Sequence, residues 1–353
     1  MNRRPTLRDV AKAADVHPAT ASRALNPETR NLVNARTVER VLRVARSLGY
    51  RPNPHARTLK TARSATVGLL IPDLTNPLFP PIARGVEDVL SQAGYSAWIV
   101  NTDNDESREA AAVESLRDRN VDGFIFATAT LHHPVAERLA VDGTPVILVN
   151  RRTAGSDIPS VTPDDAAGVA LAMRHLVELG HRRIVHLAGP QTLSTGLNRL
   201  RAYRHAFHDH GLEPDDHLVV VCEAFTESAG AKALSQLLDR GVEFTAVLAG
   251  NDLLALGCYD ALAEHGLSCP VDLSVVGFND TPFMDKLHPP LTTVRIPHYE
   301  IGAEAARLLL DALRAPERHA RSVLLPLSLI VRQSTAPPSP ARAAAGVSGH
   351  ARE

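Results

Sequence analysis

The chain is 353 residues long, 44% apolar and 22% charged. That is an ordinary globular balance, which excludes disorder for the bulk of the chain and points to two or three compact units. Its net charge of −1 hides an asymmetry: residues 1–63 carry 14 Lys and Arg against four acids (Asp9, Asp15, Glu28, Glu39), a balance of +10, and the remainder balances to −11. A basic head on an acidic body is the footprint of a nucleic-acid contact confined to one end.

The head is patterned as three helices. Thr6 can cap a first helix with Leu7, Val10, Ala11 and Ala14 on its apolar face. After a break at Asp15-Val16, a second helix runs from Pro18, a favoured first-turn residue, to Leu25, and Asn26-Pro27 ends it. Asn34 can cap a third, with Val38, Val41, Leu42, Ala45 and Leu48 at helical spacing and Gly49 as its stop. A tight turn between the first two helices makes a helix-turn-helix unit.

From Ala65 the pattern changes to short apolar runs alternating with amphipathic stretches. The runs 66–71, 97–100, 123–126 and 146–149 alternate with helices at 79–94, 107–120 and 133–142. After residue 160 the series restarts: helices at 165–180, 196–211, 227–241 and 252–266 precede strands at 183–187, 218–221, 246–249 and 273–278. Two tandem parallel α/β units create a cleft between them, a natural place for a small ligand. The Pro-, Ala- and Gly-rich tail, 336–353, reads as disordered and carries no heptad repeat, which favours a dimer over a tetramer.

In this order the motifs resemble the LacI/GalR repressors. The resemblance is carried by Thr6-Leu7-Arg8-Asp9-Val10-Ala11, by the run from Val16 to Asn26, by Leu48-Gly49-Tyr50-Arg51-Pro52-Asn53, and by the run from Ala56 to Thr61. It continues through Gly68–Asp73, Leu179–Ile184, Leu187–Pro190, Asn251-Asp252, Ser274–Asp280 and Pro290–Val294. Asp15 replaces the family's usual turn glycine, and Asp tolerates a left-handed backbone. Ala21 replaces a commoner valine, which thins the packing of the second helix.

The resemblance implies an all-α helix-turn-helix domain (1–52), a hinge (53–63) and a periplasmic-binding-protein-like α/β body for effector binding and dimerisation (64–335). The body's N-subdomain would span about 64–162 and 296–322, and its C-subdomain about 163–293 and 323–335. It implies a homodimer on a pseudo-palindromic double-stranded DNA operator, acting as a repressor whose affinity is set by a sugar or sugar derivative.

By the same resemblance the second helix enters the major groove. Arg23 is placed to bond guanine bidentately, and Pro18 and Ala19 can meet a thymine methyl. Thr6, His17, Thr20, Ser22 and Asn26 complete the DNA-facing set, mostly as phosphate contacts. Asn53, Ala56, Arg57, Leu59 and Lys60 belong to the hinge, a helix too short to be stable alone, with Leu59 as a minor-groove wedge. The effector contacts carried over are Asn150, Arg199, Asn251, Asn279 and Asp280, with Phe79 and Phe225 as apolar walls.

Other functions are weighed against this. No GxSxG, HExxH, P-loop or dinucleotide turn occurs, so catalysis, a cofactor and a metal are not expected. Asp103-Asn104-Asp105-Glu106 lacks the glycine and distal glutamate of a calcium loop, and His205, His208 and His210 lack the spacing of a helical zinc pair. Cys222, Cys258 and Cys269, odd in number and without CxxC spacing, are expected as reduced thiols. A periplasmic solute-binding protein is disfavoured because the start turns charged at once instead of forming a leader. No apolar run is long enough to span a membrane. The expected location is the cytoplasm, in association with the nucleoid. An activator, or a repressor needing a corepressor, is the third alternative; the sign of the response does not follow from the residues, and repression relieved by a sugar is what the resemblance implies.

Overall fold

The computed structural model describes residues 5–26, 29–50, 63–315 and 321–339. The chain divides into two compact units, one ending at Ser64 and the other beginning at Ala65. The hinge residues Asn53, Ala56, Arg57, Leu59 and Lys60 lie outside the described residues.

The first unit holds α1 (Leu7–Ala13), α2 (Pro18–Leu25) and α3 (Ala35–Ser47). Thr6 and Asp9 form a reciprocal capping box at α1: the Thr6 amide donates to Asp9 Oδ2 at 2.7 Å, and the Asp9 amide donates to Thr6 Oγ1 at 3.4 Å. Asp15 takes φ 49°, the left-handed turn that brings α2 round. Asn34 caps α3 through the Arg36 amide, and Gly49 at φ 64° follows its end. The core is small-residue packing: Ala11, Ala14, Ala21, Ala24 and Ala45 with Val10, Val38 and Val41. Leu48, expected on the apolar stripe, is instead 40% exposed because α3 ends before it.

The second unit has two six-stranded sheets. In chain order it runs β1 (Thr66–Ile71), α4 (Phe79–Gln92), β2 (Ser96–Asn101), α5 (Glu106–Asp118), β3 (Gly123–Phe126), α6 (Pro134–Val141), β4 (Val146–Val149) and β5 (Ser160–Pro163). There follow α7 (Asp165–Glu178), β6 (Ile184–Ala188), α8 (Ser194–Asp209), β7 (Val219–Val221), α9 (Glu227–Asp239), β8 (Ala246–Ala249), α10 (Asp252–Glu264), β9 (Ser274–Asn279) and β10 (Thr292–Arg295). α11 (His298–Arg314), β11 (Val323–Leu325) and β12 (Ser328–Ile330) close the series. The first sheet, in the order β11-β5-β4-β3-β1-β2, is wholly parallel; in the second, β12-β10-β9-β8-β6-β7, only β12 is antiparallel. Central strands such as β3, β4 and β8 are buried throughout, as a parallel sheet covered on both faces requires.

The expected series stops at β9. The structure adds β5, β10, β11, β12 and α11, and these carry the chain back and forth between the sheets. It leaves the first sheet after β5, returns after β10 through α11, and leaves again between β11 and β12. Because Val323 pairs with Val161 in the first sheet, the last crossing falls after Leu325 and not at 322–323 as expected. Likewise β10 holds the chain in the second sheet to Arg295, past the expected 293. α11 lies on α4 where both helices have glycine: a Cβ on Gly85 would be 2.1 Å from the Tyr299 carbonyl oxygen, and one on Gly302 2.0 Å from that of Ile82.

The tail also departs from expectation at its start. Ala336 donates its amide to Ser274 Oγ at 3.0 Å, and its carbonyl accepts from His181 Nε2 at 2.9 Å. Chain expected to be free from residue 336 is therefore sewn onto the second sheet there.

Candidate recognition helix and ligand cleft

At about 100° per residue, Pro18, Ala19, Ser22, Arg23 and Asn26 fall on one arc of α2, opposite Ala21 and Ala24. Burial follows that division. Pro18, Ala19 and Arg23 are exposed, Ser22 and Asn26 half-buried, and Ala21 and Ala24 fully buried. Two buried alanines let α2 sit close on its neighbours. The Arg23 guanidinium has no hydrogen-bond or ion-pair partner among the described residues, so its five donors are available to an external acceptor. His17 caps α2, its Nδ1 accepting from the Ala19 amide at 3.2 Å, so its ring is already engaged locally. Thr6 is engaged in the α1 capping box, and Thr20 is half-buried.

The cleft lies at the carboxyl ends of the strands of both sheets, where open α/β folds bind ligands. It measures about 760 Å³ and is lined by Asp73, Asn76 and Phe79 after β1, Thr102, Asp105, Glu106 and Glu109 after β2, Thr128, Thr130 and His133 after β3, and Arg151 after β4. From the second sheet come the loop after β6 (Pro190, Thr192, Leu193) and that after β7 (Glu223 to Thr226). A recess of about 30 Å³ shares Asn76, Phe79, Arg151 and Phe225 with it and adds Asn150, Thr195, Arg199, Asn251 and Asn279. Two hydrogen bonds span the halves: the Arg152 amide donates to Ser194 Oγ at 3.0 Å, and that of Leu131 to the Thr192 carbonyl at 2.9 Å.

Six of the seven expected effector residues, Phe79, Asn150, Arg199, Phe225, Asn251 and Asn279, line this recess. Arg199 is fixed there. Its Nε donates to Asp165 at 2.8 Å, its Nη1 to the Gly250 carbonyl at 2.6 Å, and its carbon lies 3.8 Å from the Phe278 ring centre. Burial raises the Asp165 carboxyl above the ordinary range in spite of Arg199. Asn251 Oδ1 caps α10 through the Leu254 amide at 2.9 Å. Gly189 makes room for Phe225, because a Cβ there would lie 2.0 Å from the ring.

Asp280 lies outside the lining. Asn279 at φ 128° and Asp280 at φ 55° turn the chain sharply after β9, and the Asp280 carboxylate accepts from Arg295 Nε and Arg332 Nη2, each at 2.7 Å. That loop is pinned from beneath by the buried Asp252, which accepts from the Thr281 amide at 2.7 Å and the Thr293 hydroxyl at 2.6 Å. Asp280 therefore joins Asp252 in holding Asn279 in place.

The cleft carries polar atoms that the protein leaves unsatisfied. Asn150 Oδ1, Arg151 Nε, Asn279 Oδ1, Thr128 Oγ1 and His133 Nδ1 are all buried without a hydrogen-bond partner. Native interiors rarely tolerate such groups, and a cluster at one cleft marks where a ligand supplies the partners. Arg151, Thr195, Thr128 and His133 are absent from the expected set. His133 Nε2 pairs with the buried Glu109, a contact between residues 24 apart that no local spacing announces.

Among the described residues no three His, Cys, Asp or Glu are grouped to hold a metal, and no helix is long and apolar enough to cross a membrane. The three cysteines are free; burial pushes the Cys222 and Cys269 thiols up to about 11, away from reactivity.

A helix-turn-helix unit on the same chain as a two-sheet, periplasmic-binding-protein-like body defines a ligand-responsive DNA-binding regulator. Comparison with known proteins agrees. Residues 6–53 match the family described as bacterial regulatory proteins, lacI family, and residues 173–335 match the periplasmic binding protein-like domain. The HTH-type transcriptional regulator DegA of Bacillus subtilis (strain 168) is 33% identical over 335 residues, covering 94% of this chain and 98% of DegA. The transcriptional regulator CelR, solved in complex with cellobiose, is 32% identical with a TM-score of 0.71, over 94% of this chain and 100% of CelR. The Lac repressor dimer, solved with operator and the anti-inducer ONPF, superposes with a TM-score of 0.80 at 28% identity, over 95% and 100% of the two chains. The chain belongs to the lacI family of bacterial regulatory proteins.

Proposed function

We propose that this protein is a repressor that binds a pseudo-palindromic operator as a homodimer and is switched by a sugar bound in the cleft. Arg23 reads a guanine edge, Pro18 and Ala19 face a thymine methyl, and Ser22, Asn26, Thr20, His17 and Thr6 hold the backbone. An eight-residue α2 can read only a half-site, and a two-fold pair doubles the contact. Asn53, Ala56, Arg57, Leu59 and Lys60 contact the DNA between the half-sites. In the recess Asn150, Asn251, Asn279, Arg199 and Thr195 serve sugar hydroxyls, and Phe79 and Phe225 serve its apolar face. The protein acts in the cytoplasm and carries out no catalysis.

The observation that carries this reading is the set of unsatisfied buried polar atoms lining the cleft of a chain whose head presents an unpartnered arginine. The test is selection from a random duplex library with the full-length protein at fixed salt, since phosphate contacts make affinity steeply salt-dependent. Two inverted half-sites are the expected product. Retention of all duplexes equally would refute sequence-specific reading.

A further inference from the structure

Arg151 follows Asn150 at the carboxyl end of β4 and is 8% exposed. It lines both the cleft and its recess, and among the described residues its guanidinium has no hydrogen-bond acceptor and no carboxylate partner. Every other buried charge around the recess is answered from within. Arg199 has Asp165, Asp280 has Arg295 and Arg332, and Asp252 has the hydroxyls of Thr281 and Thr293. The remaining polar side chains of the recess, those of Asn76, Asn150, Thr195, Asn251 and Asn279, are uncharged. Burial and the neighbouring charge of Arg199 both work against Arg151, lowering it to about 10, which leaves it cationic at neutral pH. Buried ions in folded proteins are paired, and here the protein supplies no counter-charge.

We propose that the sugar bound in this cleft is an acidic one, carrying a carboxylate or phosphate that pairs with Arg151. This rests on the sugar reading above and narrows it. The planar fork of a guanidinium matches either anion with two parallel hydrogen bonds. Asn150 and Asn279, whose amide oxygens lack donors, then take hydroxyls of the same molecule. The orientation follows from the charge along the cleft. The acids lining the cleft, Asp73, Asp105, Glu106, Glu109 and Glu223, are absent from the lining of the recess, so the anion goes to Arg151 there and the hydroxyl-bearing edge faces the carboxylate acceptors. Three of those carboxylates are already occupied, Asp73 by the Thr75 amide and hydroxyl, Asp105 by the Arg108 amide at the start of α5, and Glu109 by His133.

The experiment is calorimetric titration of the full-length protein at constant ionic strength with matched pairs. These are D-glucose against D-glucuronate and glucose 6-phosphate, D-galactose against D-galacturonate, and D-ribose against ribose 5-phosphate. At least one acid is expected to bind roughly tenfold or more tighter than its neutral parent, and the uronate and phosphate arms tell which anion is used. In Arg151→Gln the acid should fall to the affinity of the parent. The wild-type pairs decide the matter even if that variant folds poorly. Neutral sugars binding as tightly as their acids would overturn this inference and leave the sugar reading standing. So would an acid preference that survives in Arg151→Gln. Failure of every sugar, neutral and acidic, to bind would overturn both.

Discussion

The two units solve the same task, presenting polar groups to a partner, in opposite ways. The first carries its polar groups on the outside: Arg23 is exposed and has no side-chain partner among the described residues, and a thin core of alanines and valines lies beneath α2. The second buries its groups and holds some of them with others, as Arg199 is held by Asp165, Gly250 and Phe278, while Arg151 Nε and the amide oxygens of Asn150 and Asn279 are left without partners. A functional substitution in the head should therefore separate from stability, whereas one at a partnered group of the body should not.

The sharpest way to break that contrast is Arg199→Met. It strands the buried Asp165 carboxylate, and losing one partner of such a pair costs about 3–5 kcal/mol. Chemical denaturation should show the body destabilised by that order and calorimetry should show sugar binding lost together with it. An unchanged unfolding midpoint would mean that the pair is not a structural anchor. Acid should act on the body next. Burial draws His181, His186 and His298 down to about 4 from the ordinary 6.5. The unfolded chain takes up protons first, so their contribution is whole above pH 6.5 and is lost as pH falls from 6.5 toward 4. Each histidine removes about 1.4 kcal/mol per pH unit in that window. Melting curves between pH 7 and 4 should drop steeply there, and less so in His186→Phe.

Arg23→Ala tests the head. A bidentate base contact contributes about 1–3 kcal/mol of discrimination. Fluorescence anisotropy on the selected duplex should show that loss at one symmetric pair of positions, with the melting temperature unmoved. A loss spread evenly over all duplexes would make Arg23 a phosphate contact instead. The smallest effect is expected for Thr6→Ala, which removes half of the capping box and costs about 1 kcal/mol. It should loosen the head, seen as faster amide exchange in α1, and leave sugar affinity unchanged.

The same contrast governs what could be read from the sequence. In the head nearly everything was legible, because caps and helical spacing are local: Thr6, Asp15, Pro18, Asn34 and Gly49 each mark a boundary by their own chemistry. In the body the βαβ series was legible as far as β9. The returning segments were not, because β5, β11 and β12 are three or four residues long and owe their place to pairing partners far along the chain. α11 does have a helical apolar stripe, yet its place on α4 depends on the Gly85–Gly302 approach, which spacing does not reveal. Asn279 and Asp280 stand side by side in sequence, but successive left-handed residues send one to the recess and the other to Arg295 and Arg332. Arg151 carries no pattern at all. Only the absence of a counter-charge around it, a property of the folded cleft, singles it out.

Occupancy of the cleft is expected to govern the hold of the head on DNA. The most direct test is the affinity of the full-length protein for its selected duplex, at fixed salt, with and without each sugar that calorimetry finds to bind. At least one sugar should shift that affinity by roughly tenfold, within the usual range of coupling between sites, with no shift in Asn279→Ala. A sugar that saturates the cleft and leaves operator affinity unmoved would contradict it.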